Sequence, residues 1–391
     1  MKRRWFILVV FIFATGCSET PSEQTETTSQ FPNHPDFKPA PEQGPMPDSV
    51  LVVKRTPIEK AKYPPIDFHF HGRRMQRPEE FEAMVAKMDQ AGLGVICNMD
   101  GGYGETFDKN VQMGEPYKDR IIHFARINWE GINEPGWPDK AAAELERCFR
   151  AGAAGLKISK RLGLELQNGD GTFIQCDDPR LDPVWEMCAR HDKPVMMHVS
   201  DSVARFQPIG LANERWEAGQ WRSDTDGNYY GTGRPGIEEI FGHREKMFAK
   251  HPNTRFVNAH IAMISFDLKR VGEMLDKFPN VDVEVSARIQ DLGRQPFSGR
   301  AFLIKYQDRV LFGSDGNPSR EIERFWTPHW RYFETDDEYF DHPAQMLSPL
   351  GAPLQGRWAI HGAYLPDEVI RKIYYQNALK YLPALRDSFQ R

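Results

Sequence analysis

In the segment Ile66 to Gly72, which reads IDFHFHG, two histidines stand one residue apart in an otherwise apolar run. Strand side chains alternate between faces, so Asp67, His69 and His71 are expected on one face and Ile66, Phe68 and Phe70 on the other. Imidazole and carboxylate groups presented together are ligand types for zinc and comparable divalent cations. Three further apolar runs end in the same manner: His198 in VMMHVSD, His260 in FVNAHIA and Asp315 in LFGSDG. A packed core disfavours such a collection of ionisable groups unless they hold something, so convergence on a shared cation is the expectation. Taken singly, each has an ordinary role open to it. His198 and His260 suit hydrogen-bonded core positions, His260 also suits catalysis without metal contact, and Asp315 suits a loop anchor. Asp67 either meets the metal or organises a ligand and the strand start.

The elements that must position these groups alternate along the chain. After IDFHFHG comes PEEFEAMVAKMDQAG, in which Phe81, Met84, Val85 and Met88 recur at helical spacing between Pro78 and Gly92. LGVICNMDGG, IIHFARINW, AGLKISK, PVMMHVSD, TRFVNAHIA, VDVEVSAR and RVLFGSDG read as further strands, with helices or room for them between. Eight strand-helix units close most economically as a TIM-type (β/α)8 barrel, whose chemistry collects at the carboxyl ends of the strands. A doubly wound sheet has less support, because GYGETF lacks the glycine pattern of a dinucleotide loop. A long excursion over about 317–365, rich in aromatics at RFWTPHWRYF, follows the eighth strand and suits a lid or a contact between two copies of the chain. The helix DEVIRKIYYQNALKYL then closes the domain, which is expected over 61–391.

The chain has 391 residues, 50 basic and 55 acidic, with a formal net charge of -5 and no Lys/Arg-rich stripe, which argues against a nucleic-acid partner. Its first residues differ from the rest. MKRRW is a positive n-region, FILVVFIFA is an apolar core too short to span a bilayer, and Thr15 and Gly16 precede Cys17. ATGC resembles a bacterial lipobox, with Ala14 where leucine is usual. The resemblance implies a signal peptide over 1–16, lipidation of Cys17, and a protein tethered to the cell envelope, at the outer membrane given Ser18. Residues 17–60 are poor in large apolar side chains and read as a flexible linker. Cys97, Cys148, Cys176 and Cys188 form no CxxC pair and fall in apolar surroundings, as buried thiols do.

The order DxHxH, then His in the fifth strand, His in the sixth and Asp in the eighth, resembles the amidohydrolase superfamily. IDFHFHG, MMHVSD, NAHIA, LFGSDGNP and IYYQNAL are similar to its amidohydrolase-related branch, which includes aromatic-acid decarboxylases and lactone or amide hydrolases. The resemblance covers roughly Ile66 to Leu382. It implies that His69, His71, His198 and Asp315 ligate the metal, that His260 assists the reaction beside it, and that Asp315 accepts a proton in hydrolytic members. A single divalent ion, zinc first, is the expectation. The alternative is a binuclear centre bridged by a carboxylated Lys157, although Lys157 also suits pairing with a substrate carboxylate.

A cation held there would lower the pKa of water and polarise a carbonyl, which serves hydrolysis of an ester, lactone or amide. Hydrolysis is the first expectation, nonoxidative decarboxylation of an aromatic or unsaturated acid the second, and metal or ligand binding without turnover the third. Arg73, Arg126, Arg161 and Arg288 lie at or just past strand ends and suit an acidic small-molecule substrate. Trp129 and Phe107 are candidates for an apolar wall beside them.

Overall fold

A computed structural model describes residues 49–389, apart from 74, 209–211, 216–227, 343–355 and 357. The expected signal peptide, Cys17 and most of the linker lie outside the described residues, as does the centre of the long excursion. Among the described residues no helix is long and apolar enough to cross a membrane.

The eight expected strands all form: β1 (Ile66–Phe70), β2 (Val95–Asn98), β3 (Ile121–His123), β4 (Leu156–Ile158), β5 (Val195–Met197), β6 (Phe256–Asn258), β7 (Val281–Glu284) and β8 (Val310–Leu311). A helix follows each: α1 (Pro78–Ala91), α2 (Gly104–Gly114), α3 (Trp137–Arg150), α4 (Asp182–Arg190), α5 (Ile237–Lys250), α6 (Leu268–Lys277), α7 (Pro296–Lys305) and α8 (Thr327–Glu334). All strand pairs are parallel, in the orders β1-β2-β3 and β4-β5-β6-β7-β8. Two bridges, Ala125 with Leu156 and Phe70 with Gly316, join these sheets at both edges and close the barrel. The closing hydrogen bonds are well formed, with the Lys157 amide donating to the Ala125 carbonyl at 2.8 Å and the Asp315 amide to the His69 carbonyl at 2.7 Å. Beyond α8, the expected C-terminal helix is α-helical only over Asp367–Arg371 and then widens into a π-turn over Lys372–Gln376.

Two apolar clusters show how alternation sorts the strands. Ile66, Phe68, Val95, Cys97, Met196, Val257 and Leu311, drawn from strands all around the sheet, meet one another and are plugged from the C-terminal segment by Ala378, Tyr381 and Leu382. This is the barrel interior. Phe70, Ile96, Leu156, Ile158, Val195, Met197, Phe256, Val283 and Phe312 belong to the larger cluster between strands and helices. The four cysteines are buried and unpaired, as expected.

β1 breaks its own alternation. Asp67 pairs with Ile96, but Phe70 pairs with Asn98, so one extra residue is accommodated between them. The bulge corrects the expectation that Asp67 shares a face with His69. Ile66 and Phe68 face inward, His69 also turns inward after the slip to meet Glu284, and Asp67 is left on the outer side, where it meets the Trp326 that stacks on Phe70.

Candidate metal centre and active site

His69 is fully buried, and its Nδ1 donates to Glu284 Oε1 at 2.9 Å, with Ser286 Oγ at 3.0 Å. Its Nε2 is thereby left facing the barrel mouth, 2.8 Å from Lys157 Nζ and 3.6 Å from Asp315 Oδ1. His71 repeats the arrangement: Nδ1 donates to Asp100 Oδ2 at 3.0 Å, and Nε2 lies 3.2 Å from Asp315 Oδ1. In His260, Nδ1 donates to the Ser286 carbonyl at 2.8 Å. Each imidazole is thus locked by an acceptor on one nitrogen, which fixes the ring and directs the other nitrogen towards a ligand.

One donor atom from each of His69, His260 and Asp315 lies within 4.8 Å of the other two, close enough to share an ion. His71 joins through Asp315, and His198 lies edge-on to His260 with ring centroids 4.4 Å apart. The donor chemistry fits one divalent cation, since the surroundings favour neutral imidazole at His69, His198 and His260 and ionised carboxylate at Asp315. At His71 burial is outweighed by the Asp100 and Asp315 carboxylates, which raise the imidazole. Burial, with the neighbouring Lys157 charge, pushes His69 down to about 4. Burial likewise lowers His260, and lowers His198 well below the ordinary imidazole range with the help of His260. For Asp315, burial is outweighed by the His71 hydrogen bond and the nearby imidazoles, so its carboxyl is held well below the usual carboxylate range.

Sequence reasoning missed the two acids that set this geometry. Glu284 is fully buried and accepts from His69 Nδ1, the His260 amide (2.9 Å), the Ser286 amide (2.6 Å) and Ser286 Oγ (2.6 Å). Burial opposes its ionisation, but the His69 interactions prevail and hold it at about 2. Asp100, beyond β2, accepts from His71 and from Arg126 Nη2 at 2.5 Å. Both signals were present: an acid inside the apolar alternation VDVEVSAR, and a polar ending to LGVICNMD like that which marks His198. Gly313 belongs to the same construction. A Cβ there would collide with the Glu284 carboxylate and come within 3.0 Å of His69 Cβ.

Asp67 has a separate task. Its carboxylate accepts from Ser314 Oγ, the Ser314 amide (2.9 Å), Trp326 Nε1 (3.1 Å) and the His69 amide (3.2 Å). It therefore ties β1 to the loop carrying Asp315 and to the aromatic excursion, where Trp326 stacks on Phe70. Ser286 and Ser314 direct their hydroxyls to Glu284 and Asp67 respectively.

The backbone at His260 is unusual. His260, Ile261, Ala262 and Met263 have φ of 60°, 53°, 54° and 62°, a left-handed turn built without glycine. Each such residue costs about 1 kcal/mol or more, and strain of this kind persists only where its surroundings impose it.

A cavity of roughly 460 Å³, lined by Tyr103, Arg126, Trp129, Glu130, Lys157 and Arg161 among others, adjoins the histidines through Lys157. Arg126 is anchored by Asp100 and by the Met99 carbonyl at 2.8 Å, whereas Arg161 is about half exposed and, among the described residues, meets only Glu165 closely, at 3.2 Å. Trp129 stacks on Trp137 at 5.9 Å. Burial drives Lys157 down to about 8. The other candidates fall elsewhere. Arg73 is largely exposed, 3.9 Å from Asp100. Arg288 is buried against Met263 and Asp291, outside the cavity lining. Phe107 is wholly in the core and forms no wall.

The amidohydrolase family model matches residues 66–384, and the chain belongs to that family. Curated proteins give no match. Among solved structures, the chain is similar to a dihydroxybenzoic acid decarboxylase from Polaromonas sp. JS666 with bound manganese and the inhibitor 2-nitroresorcinol. The TM-score is 0.53 at 14% identity, covering 84% of this chain and 99% of that one. It is similar also to 2,6-dihydroxybenzoate decarboxylase from Rhizobium, with a TM-score of 0.50 at 16% identity over 84% of this chain and 99% of that one. At these identities the likeness shows the barrel fold and nothing finer.

Proposed function

We propose that this amidohydrolase-family protein is a metal-dependent lyase that releases carbon dioxide from a small aromatic or unsaturated carboxylic acid. The observation that carries this reading is the cavity that adjoins His69 through Lys157, whose lining among the described residues gathers Arg126, Arg161, Lys157 and Trp129 with a single acid, Glu130. Three lining cations against one carboxylate suit an anionic substrate, and an indole suits a flat one. The fold's likeness to two aromatic-acid decarboxylases lends further support.

His69, His71, His198 and Asp315 would hold one divalent cation, with His260 beside them and free of it, and the cation would supply a Lewis acid for a substrate oxygen. The chain's own groups account for the remainder. Arg126, held by Asp100, offers a preset guanidinium to the substrate carboxylate, and Trp129 orients the ring. His260 Nδ1 is committed to the Ser286 carbonyl, so proton exchange with substrate falls to Nε2. The negative charge of the bound acid favours protonation of His260 from solvent, and the proton then given from Nε2 to the carbon bearing the carboxylate permits cleavage of the carbon–carbon bond. The bond's electron pair restores the unsaturated system as carbon dioxide leaves, and solvent returns the proton to His260.

Hydrolysis, preferred from the sequence alone, becomes the second reading. It rests on Asp315, which lies beside the imidazoles and is partly open, with a side chain 34% exposed. The test is product analysis after loading with zinc or manganese, the latter being the metal of the Polaromonas relative. Hydroxybenzoates and unsaturated acids should release carbon dioxide, while lactones, esters and amides stay intact. Hydrolytic products without carbon dioxide would reverse the order of the two readings.

A further inference from the structure

The left-handed turn that carries His260 lacks the residue that normally makes such a turn affordable. Four consecutive non-glycine residues, His260 to Met263, keep positive φ, so something outside the turn must impose the conformation. Within it the hydrogen bonds are short-range, from the Met263 amide to the His260 carbonyl at 3.0 Å and from the Ile264 amide to the Ile261 carbonyl at 3.0 Å. These bonds close the turn but do not choose its hand.

Arg244, on α5, supplies an outside hold. It is 1% exposed, and its Nη1 donates to the Ala262 carbonyl at 2.7 Å. Its other contacts are weak: the guanidinium lies over the Phe241 ring at 4.5 Å, and Nη2 is 4.0 Å from Met274 Sδ. Among the described residues Nε has no hydrogen-bond partner, and Arg244 has no carboxylate within ion-pair distance. A cation buried on such terms is unfavourable for packing alone, and methionine or leucine would fill the space at less cost. What an apolar side chain could not do is grip a carbonyl that points outward because the turn is left-handed. At the turn's start, the His260 amide donates to Glu284 Oε1 at 2.9 Å, so the segment is held at both ends.

We infer that Arg244 is a positioning residue for His260, acting through the Ala262 carbonyl to keep the 260–263 turn left-handed and the imidazole aimed at the site. The inference rests on the proposed role of His260 for its kinetic consequence, but not for its structural one. The full-length protein and the variants Arg244→Met, Arg244→Lys and Arg244→Met/Ala262→Gly separate the two. Hydrogen exchange read by mass spectrometry on peptides spanning 258–264 should quicken at least about tenfold in Arg244→Met, with α6 and β7 still protected. With a carboxylic acid that the parent decarboxylates, kcat should fall about 10- to 100-fold while KM stays within about threefold. Glycine at 262 accepts positive φ without strain, so the double variant should recover at least about fivefold in kcat, which general loss of packing would not allow. If Arg244→Met does not fold, Arg244→Lys should exchange faster in the same segment and keep intermediate kcat. Unchanged exchange over 258–264 overturns the clamp whatever the activity, and so does failure of the glycine to restore kcat. A parent that releases no carbon dioxide overturns the proposed reaction, and the exchange result still decides the clamp.

Discussion

Replacing Glu284 with glutamine tests whether this buried acid organises a metal site. One carboxylate oxygen, Oε1, receives His69 Nδ1, the His260 amide and Ser286 Oγ, while Oε2 receives the Ser286 amide. Glutamine keeps the shape but turns one oxygen into an NH2 donor. In the less damaging orientation the amide oxygen stays with the three donors, and the NH2 is set against the Ser286 N–H. That exchanges a charge-assisted bond for a donor facing a donor, at a cost of about 1.5–3 kcal/mol, and weakens the three surviving bonds by removing the charge. The His69 ring loses the acceptor strength that raises its basicity, and losses of this type reduce metal affinity about 10- to 100-fold, or about 1.4–2.7 kcal/mol. The assay is a competition titration with a coloured chelator on purified parent and variant, with circular dichroism to check the fold. Equal affinity in a folded Glu284→Gln protein would refute the reasoning, because the ion would then not depend on the orientation of His69. A parent that takes up no zinc or manganese would refute it more directly.

Other outcomes follow from the same geometry. Chelation of divalent ions should abolish carbon dioxide release and re-addition should restore it, measured by coupled assay; undiminished turnover after verified metal removal would exclude the proposed centre. Arg161→Gln should raise KM about tenfold and leave kcat nearly unchanged, because Arg161 is half exposed and its loss leaves only Glu165 without a partner at the mouth. Burial holds His123 and His329 down at about 4, against 6.5 for the free imidazole. The unfolded chain therefore binds the extra protons first, and stability falls as pH drops from about 6.5 to about 4, by about 3 kcal/mol for each histidine. His329→Phe keeps ring packing against Phe312 and Phe325 and should flatten that slope in urea titrations at stepped pH; an unchanged slope would show that His329 does not titrate so. Labelling of the full-length protein with radioactive palmitate in a bacterial host should occur and vanish in Cys17→Ala; labelling that survives the substitution would exclude the expected lipid anchor.

Barrel architecture was legible because it depends on a coarse signal repeated eight times, and a strand misplaced by two residues still counts as a strand. The site depends on finer matters. Period-two alternation places His69 and His71 at the mouth, but it cannot register a bulge, and the single extra residue between Asp67 and Phe70 sends Asp67 behind β1. Nothing in IDFHFHG marks that slip, since the partner strand that reveals it begins at Val95. Glu284 and Asp100 were overlooked for a different reason. A carboxylate that orients a histidine is chemically identical to one that binds a substrate or a surface lysine, and only its distance to a ring nitrogen tells them apart. The arginines make the same point from the other side. Four at strand ends looked equivalent, but Arg288 is drawn into a buried contact with Asp291 and Met263, while Arg126 and Arg161 line the cavity. Groups that define the chemistry stand at the ends of apolar runs and can be found there. Groups that aim them are recognised only by what they touch, so a sequence discloses the ligands of such a site sooner than it discloses their orientation.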